Sequence, residues 1–479
     1  MRTCWLVVLV AACGDNGIPN EPAPRPPIPA TCDEAALPAT LAGIDGVTRA
    51  VETECGDYVT GPARCFEIGF DQPVDHQRPA KRFTQRVFLI HRGCDNPNLV
   101  ADWGYSQDLF YDDELSALYQ TNSLWIEHRF QGESLPSPTD WDWTQLTIEN
   151  GATDMHRVIE AFRTHYSSRF VSTGASKGGI TATYHKFLFS DDVEGSIPYV
   201  APASRARVDP EYQANLDTAL PMPCAQRVRD AQVAALTTRR TMMLGHLTGE
   251  VAPGFEPLYL EFIAGSFDWA FWQYYGMAYC QNVPTTTTAD TTFWQFFASF
   301  SGLMPEADQP RRDDQLSNGA LSYEWLTEQG FALQRGAHVA SLIVEPEAVA
   351  TMEDNFRTQF PGVALLDYDG SLTAATRTWV RDEAEDLLLI YGQYDPWSGG
   401  AMEAPVKTSA ARFYVPNATH GAQISELAFG DREAALAHAS RMFGREPVAA
   451  KPGAHRTVAH DYVRRHELAA MKRAFGLPR

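Results

Sequence analysis

Residues 170–179 read FVSTGASKGG, and inside them Gly174-Ala175-Ser176-Lys177-Gly178 fits G-x-S-x-G. Any loop rich in glycine and serine can match that pentapeptide by chance, so its meaning rests on its flanks. Upstream, RFVST (169–173) reads as a short strand. Downstream, KGGITATYHKFLF reads as a helix. A strand, a tight glycine turn and a helix are the context in which a nucleophile elbow presents a serine hydroxyl at its apex. The backbone N–H of Lys177 would then sit at the helix N-terminus and donate to a developing oxyanion.

The same alternation continues on both sides of the elbow. QRVFLIH (85–91), NLVADWG (98–104), NSLWIEH (122–128) and GSIPYVAPA (195–203) read as strands. MHRVIEAFRTHY (155–166) has the helical period through Val158, Ile159, Phe162 and Tyr166. Strands that alternate with helices imply parallel pairing and an α/β sheet. From about 205 to 370 the pattern is mostly helical, with aromatic clusters such as FDWAFWQYYG (267–276). It returns to alternation with VALLDYD (363–369), a helical stretch over 374–384, LLLIYG (387–392) and ARFYVP (411–416). The expected architecture is an α/β domain in two parts, 36–204 and 371–445, around a helical cap at 205–370. A basic segment, 446–479, is expected to pack as a helix on the surface.

An acid and a histidine follow where an α/β-hydrolase needs them, in the order Ser, acid, His. Asp395 comes just after LLLIYG, and His420 just after ARFYVP. His420 would take the serine proton, and Asp395 would fix the imidazole tautomer and stabilise its cation. Each residue alone has a plain structural reading, Asp395 as a turn cap and His420 as a loop histidine. Together, each behind an apolar strand, they point to a triad of Ser176, Asp395 and His420. By analogy, a second oxyanion donor is expected near Gly104 and Tyr105, after the strand NLVADWG.

The 479 residues carry a formal net charge of −21, which argues against nucleic acid as a partner, since phosphate binding needs clustered Lys and Arg. The N-terminal apolar run, Trp5 to Ala12, is too short to span a bilayer and reads as a signal h-region. Val10-Ala11-Ala12-Cys13 reads as a lipobox. Residues 1–12 would then be a signal peptide, Cys13 the lipidated residue, and 13–35 a proline-rich tether. An ordinary secretory signal cleaved near Ala12 is the competing reading. No other segment is a transmembrane candidate. Of the eight cysteines, removing Cys4 and Cys13 leaves six, an even number that suggests disulfides in an exported protein. Six cysteines allow about 15 connectivities; Cys55 with Cys65 and Cys224 with Cys280 are the expected pairs, which leaves Cys32 with Cys94. No pair has zinc-site spacing.

Six segments, FDQPVDH (70–76), IEHRFQGES (126–134), STGASKGG (172–179), FWQYYG (271–276), YGQYDPWSGG (391–400) and NATHGA (417–422), resemble in order those of the secreted bacterial tri/tetrapeptidyl aminopeptidases. More distantly, the chain is similar to the lysosomal Pro-X carboxypeptidase family. The first resemblance implies an α/β-hydrolase fold, Ser176, Asp395 and His420 on the family's triad motifs, and no metal or organic cofactor. It also implies release of short N-terminal peptides from oligopeptides, sometimes with a proline preference. A free N-terminus is a cation and should meet a carboxylate. Glu127 and Glu133 are the candidates, against an ion pair with Arg129 and a solvated loop end. Trp269, Phe271 and Trp272 are candidates for a lid wall or proline pocket, against a plain helical core stripe. Gln131, where relatives tend to carry an aromatic residue, and the additional tyrosine of FWQYYG depart from the family pattern. Rival functions are an esterase or lipase on the same triad, and a non-catalytic peptide-binding lipoprotein.

Overall fold

The computed structural model describes residues 31–448 apart from 252, 302–311, 334 and 346–351. The expected signal peptide, Cys13, most of the tether and residues 449–479 of the basic segment lie outside the described residues.

Among the described residues nine strands form one sheet: β1 (Val47–Thr53), β2 (Arg64–Pro73), β3 (Arg82–His91), β4 (Asn98–Asp102), β5 (Asn122–Ile126), β6 (Phe170–Ala175), β7 (Gly195–Tyr199), β8 (Leu388–Gly392) and β9 (Ala411–Val415). Their spatial order is β1-β2-β3-β5-β4-β6-β7-β8-β9. Pairing is antiparallel from β1 to β5 along that order and parallel from β5 to β9. Every residue of β4, β5, β7 and β8 is buried. Parallel strands covered on both faces need such continuous apolar runs. One face packs Val87, Leu89 and Leu124 on Met155, Val158 and Phe162 of the helix Ile148–Arg163. The other packs Leu99, Val171 and Leu388 with Met442 and Phe443 of the helix Phe429–Phe443.

Several elements differ from expectation. The antiparallel strands β1 and β2 carry no helix between them and have no place in a strand–helix alternation. β1 is largely exposed, so it lacks an apolar face to read. The helix expected at 155–166 runs from Ile148 to Arg163, capped by Thr147, whose side chain accepts from Asn150 N–H. Tyr166 lies beyond it but is buried, its hydroxyl 2.8 Å from His91 Nδ1. β7 stops at Tyr199 because Val200 turns the chain at φ 43°, a rare conformation for a β-branched residue. The stretch 363–369 forms no strand. Val363 and Leu365 pack on the Tyr323–Phe356 cluster while Leu366 points outward, so the apolar alternation is real but no neighbouring strand pairs with it.

Between β7 and β8 the chain is helical and has its own core, with Leu236, Leu260, Phe267, Trp269, Trp272 and Phe297 buried together. Among the described residues the disulfides are Cys32–Cys94, Cys55–Cys65 and Cys224–Cys280. Among the described residues no helix is long and apolar enough to cross a membrane.

Candidate active site

Ser176 joins β6 to the helix Lys177–Leu188 with φ 54° and ψ −123°. A non-glycine residue in that region is strained, and such strain gathers at functional positions. Its backbone N–H is held by Tyr199 O at 3.0 Å, and its carbonyl accepts from Ile180 N–H at 3.0 Å. The hydroxyl makes no cap bond to the helix it precedes, although serine is a preferred N-cap. The elbow is also closely packed. A Cβ on Gly178 would lie 2.4 Å from Asp102 O, and one on Gly104, itself at φ +81°, would lie 2.7 Å from Gly178 N. The loop after β4 therefore lies directly against the first turn of the helix. Tyr105 borders a small cavity together with Ser176 and Lys177.

Asp395 follows β8 and is fully buried. Its Oδ1 accepts from Trp397 N–H at 3.1 Å, and its Oδ2 lies 2.7 Å from His420 Nδ1. The loops after β8 and β9 are tied by Tyr394 N–H to Ala418 O at 2.9 Å. The helical segment grips both: Asn215 Nδ2 donates to Asp395 O at 3.1 Å, and His420 N–H donates to Gln273 O at 3.0 Å. A cavity of about 110 Å³ has both Ser176 and His420 in its wall. Ser176 also borders the second cavity, about 40 Å³, under Trp325, Phe331 and Trp397.

The carboxylates and aromatics expected to meet substrate fall elsewhere. Glu127 is fully buried and accepts from Gln107 N–H, Glu133 N–H, Ser134 N–H and Ser134 Oγ–H at 2.6–3.1 Å. Burial pushes its carboxyl up to about 7 against those bonds. It organises the 127–134 loop and turns no oxygen toward either cavity. Glu133 is exposed, 3.6 Å from Arg86, and borders neither cavity. Arg129 pairs with Asp154, at 2.7 and 3.0 Å, rather than with either glutamate. Trp269 and Trp272 are 1% exposed, in the core of the helical segment with Phe271. Trp269 instead backs Trp397, edge to face at 5.0 Å, and Trp397 borders the smaller cavity. Gln131 donates to Ser317 O at 2.8 Å and ties its loop to the helix Arg312–Glu324.

A buried charge network beneath the elbow is absent from the sequence-level expectations. Lys177 Nζ lies 3.0 Å from Glu324 Oε2, which is 3.5 Å from His128 Nε2, and His128 Nδ1 is 2.8 Å from Asp102 Oδ1. Asp102 Oδ1 also accepts from Gly104 N–H at 2.7 Å. Burial opposes ionisation of Glu324, but Lys177 and His128 hold its carboxyl down to about 2. Burial opposes the imidazolium too, yet Asp102 leaves His128 above its ordinary value. Lys177, Glu324, His128 and Asp102 thus link the elbow, the end of β4, the residues after β5 and the helical segment. No motif at Glu324 signals this, because packing across the fold brings it there. One His/Cys group of metal-ligand spacing occurs among the described residues, Cys32, His91 and Cys94, and both of its thiols are in a disulfide.

The model of the PS-10 peptidase S37 family matches residues 41–472. A prolyl tri/tetrapeptidyl aminopeptidase of Streptomyces mobaraensis is 27% identical over 404 residues, covering 81% of each chain. Among solved structures, the chain is similar to a proline iminopeptidase of Mycobacterium smegmatis (TM-score 0.33, 16% identity, 88% of this chain and 100% of that one). It is also similar to a peroxisomal alpha-beta-hydrolase of Saccharomyces cerevisiae (TM-score 0.37, 12% identity, 88% of this chain and 100% of that one).

Proposed function

Because the chain belongs to the PS-10 peptidase S37 family, and is thus a serine peptidase with an α/β-hydrolase fold, we propose that it acts as an exopeptidase. In this reading it releases short N-terminal peptides through Ser176, His420 and Asp395. The observation that carries it is the shared cavity: Ser176 at the apex of a strained elbow and His420, bonded at 2.7 Å to buried Asp395, border one space.

The steps follow from those positions. Ser176 Oγ attacks the scissile carbonyl carbon as His420 Nε2 takes the hydroxyl proton. A C–O bond forms, the carbonyl π electrons move onto oxygen, and the Lys177 N–H at the helix start stabilises that charge. The C–N bond then breaks, and His420 gives its proton to the leaving amine. Water adds to the acyl-enzyme, its proton going to His420, and the ester C–O bond breaks to return the proton to Ser176. Asp395, accepting from Nδ1–H throughout, holds the one tautomer that leaves Nε2 free to accept. The helical segment contributes walls to the smaller cavity, which favours short unfolded chains over folded proteins. Export fits the three disulfides, with Cys13 proposed as a lipid anchor to the cell envelope.

Two fluorogenic tripeptide amides test the substrate class, one with a free N-terminus and one acetylated. A recognised ammonium contributes about 2–5 kcal/mol when its counter-charge is buried. The free peptide should accordingly be cleaved at least ~30-fold faster in kcat/KM. Equal rates would make the enzyme an endopeptidase or a broad hydrolase. Turnover of simple esters with neither amide cleaved would leave an esterase.

A further inference from the structure

The walls of the 110 Å³ cavity beside Ser176 and His420 also include Trp103, Tyr111, Trp125 and Tyr199 and two acids, Asp113 and Glu114. The rings form connected faces, with Tyr111 stacked on Trp125 at 4.9 Å and Trp103 edge-on to Tyr111 at 5.2 Å. The two acids differ in what they have left to offer. Glu114 is committed to the scaffold: Oε2 accepts from Tyr199 Oη–H and Ile424 N–H at 3.1 and 2.8 Å, and Oε1 accepts from Ser425 N–H at 2.8 Å. Asp113 spends Oδ1 on capping the helix Glu114–Tyr119 through Ser116 N–H at 2.7 Å. Asp113 is itself part of the cavity wall, and the Ser116 hydroxyl also bonds its carboxyl. Burial, and then the neighbouring Asp112 and Glu114, push that carboxyl up to about 7 against its cap bond.

Such a space selects by charge. Two carboxyl groups repel an anion. A neutral apolar group would desolvate Asp113 without supplying a partner. A cation gains the ring faces and the carboxylate together. Tyr199 sets the scale, since its backbone oxygen holds Ser176 N–H and its hydroxyl holds Glu114. The acidic end is therefore one tyrosine side chain from the nucleophile. A peptide advances about 3.3–3.6 Å per residue, so only the first few residues fit between.

We propose that this cavity is a primary-ammonium subsite of the substrate, with Asp113 as its counter-charge. The proposal rests on the exopeptidase reading and assigns to Asp113 the part expected of Glu127 or Glu133.

Calorimetric titration of the Ser176→Ala protein, which consumes no peptide, tests it with Ala-Ala-Ala amide, its N-acetyl form and N-acetyl-Lys-Ala-Ala amide. The free-amine peptide is expected to bind at least ~10-fold more tightly than the acetylated one, and Asp113→Asn in the same background should erase the difference. Asparagine caps a helix as well as aspartate does, so the substitution removes charge and keeps the cap. Should that variant fail to fold, Asp113→Ser and Tyr111→Leu each carry the same test. Recovery of affinity by the acetylated lysine peptide would identify a side-chain ammonium as the ligand, and no recovery the N-terminus. Equal binding of all three peptides, or a preference that survives Asp113→Asn, overturns the proposal. Tight binding of the free peptide by a wild-type protein that cleaves no amide would sink the exopeptidase reading and leave the subsite standing.

Discussion

Ser176→Ala should lower kcat on a tripeptide amide by about 10⁵–10⁶-fold and abolish labelling by a fluorophosphonate, with the thermal midpoint nearly unchanged. The size follows from the elbow. Ser176 holds the φ 54° position between β6 and its helix, so its side chain stands at the apex that the proposed mechanism uses. The hydroxyl makes no cap bond to that helix, so its loss removes the proposed nucleophile and little stability. Asp395→Asn belongs to the same experiment and should cost about 10⁴-fold. The amide can turn its NH₂ toward His420 Nδ1 and so place the ring proton on Nε2, where a base is needed. Trp397 N–H would still hold the remaining oxygen, as it now holds Oδ1 at 3.1 Å, and the loop should keep its shape. Turnover within tenfold of wild type in Ser176→Ala would put the nucleophile elsewhere. The same result in Asp395→Asn would remove that residue from the acid's role.

The positions proposed for catalysis were legible because each follows an apolar run of strand length. RFVST precedes Ser176, LLLIYG precedes Asp395 and ARFYVP precedes His420, and these runs are β6, β8 and β9. β8 is buried throughout and β6 nearly so, and of the three only β9, at the sheet edge, is partly exposed. What surrounds those positions was not legible, for physical reasons that differ from residue to residue. Glu127 looks like a free carboxylate in IEHRFQGES, but its own loop aims two backbone N–H groups at it and the loop after β4 a third. Trp269 and Trp272 lie on a helix whose aromatic stripe suits a pocket wall or a core equally well, and only packing decides that it is core. Asp113 and Glu324 sit in no motif. Their neighbours come from 310 residues away in one case, where Glu114 beside Asp113 binds Ile424 N–H, and from the elbow itself in the other. Local pattern carries no trace of such pairings.

Lys177→Met should lower stability by about 3–5 kcal/mol, the usual cost of breaking a buried ion pair by removing one partner, read as a fall in the urea midpoint. Glu324 is 2% exposed and would keep its charge with only His128, at 3.5 Å, to balance it. Lys177→Met with Glu324→Leu removes both charges and should regain most of the loss, because His128 keeps Asp102 at 2.8 Å. Equal losses in the single and double variants would mean that the pair is not what holds the helical segment to the elbow. Acid adds an independent reading. The Glu324 carboxyl is depressed from 4.5 to about 2, so its contribution is complete above the unfolded value and is lost as the pH falls from about 4.5 toward 2. Wild type should therefore lose stability through that window more steeply than the double variant, which has no Glu324 to protonate. Activity separates the two roles of the network. The proposed oxyanion donor is the Lys177 backbone N–H, and the side chain ties that residue to the helical segment through Glu324. A double variant that regains its urea midpoint yet keeps a lowered kcat with unchanged KM would show that the ion pair positions the elbow as well as stabilising the fold.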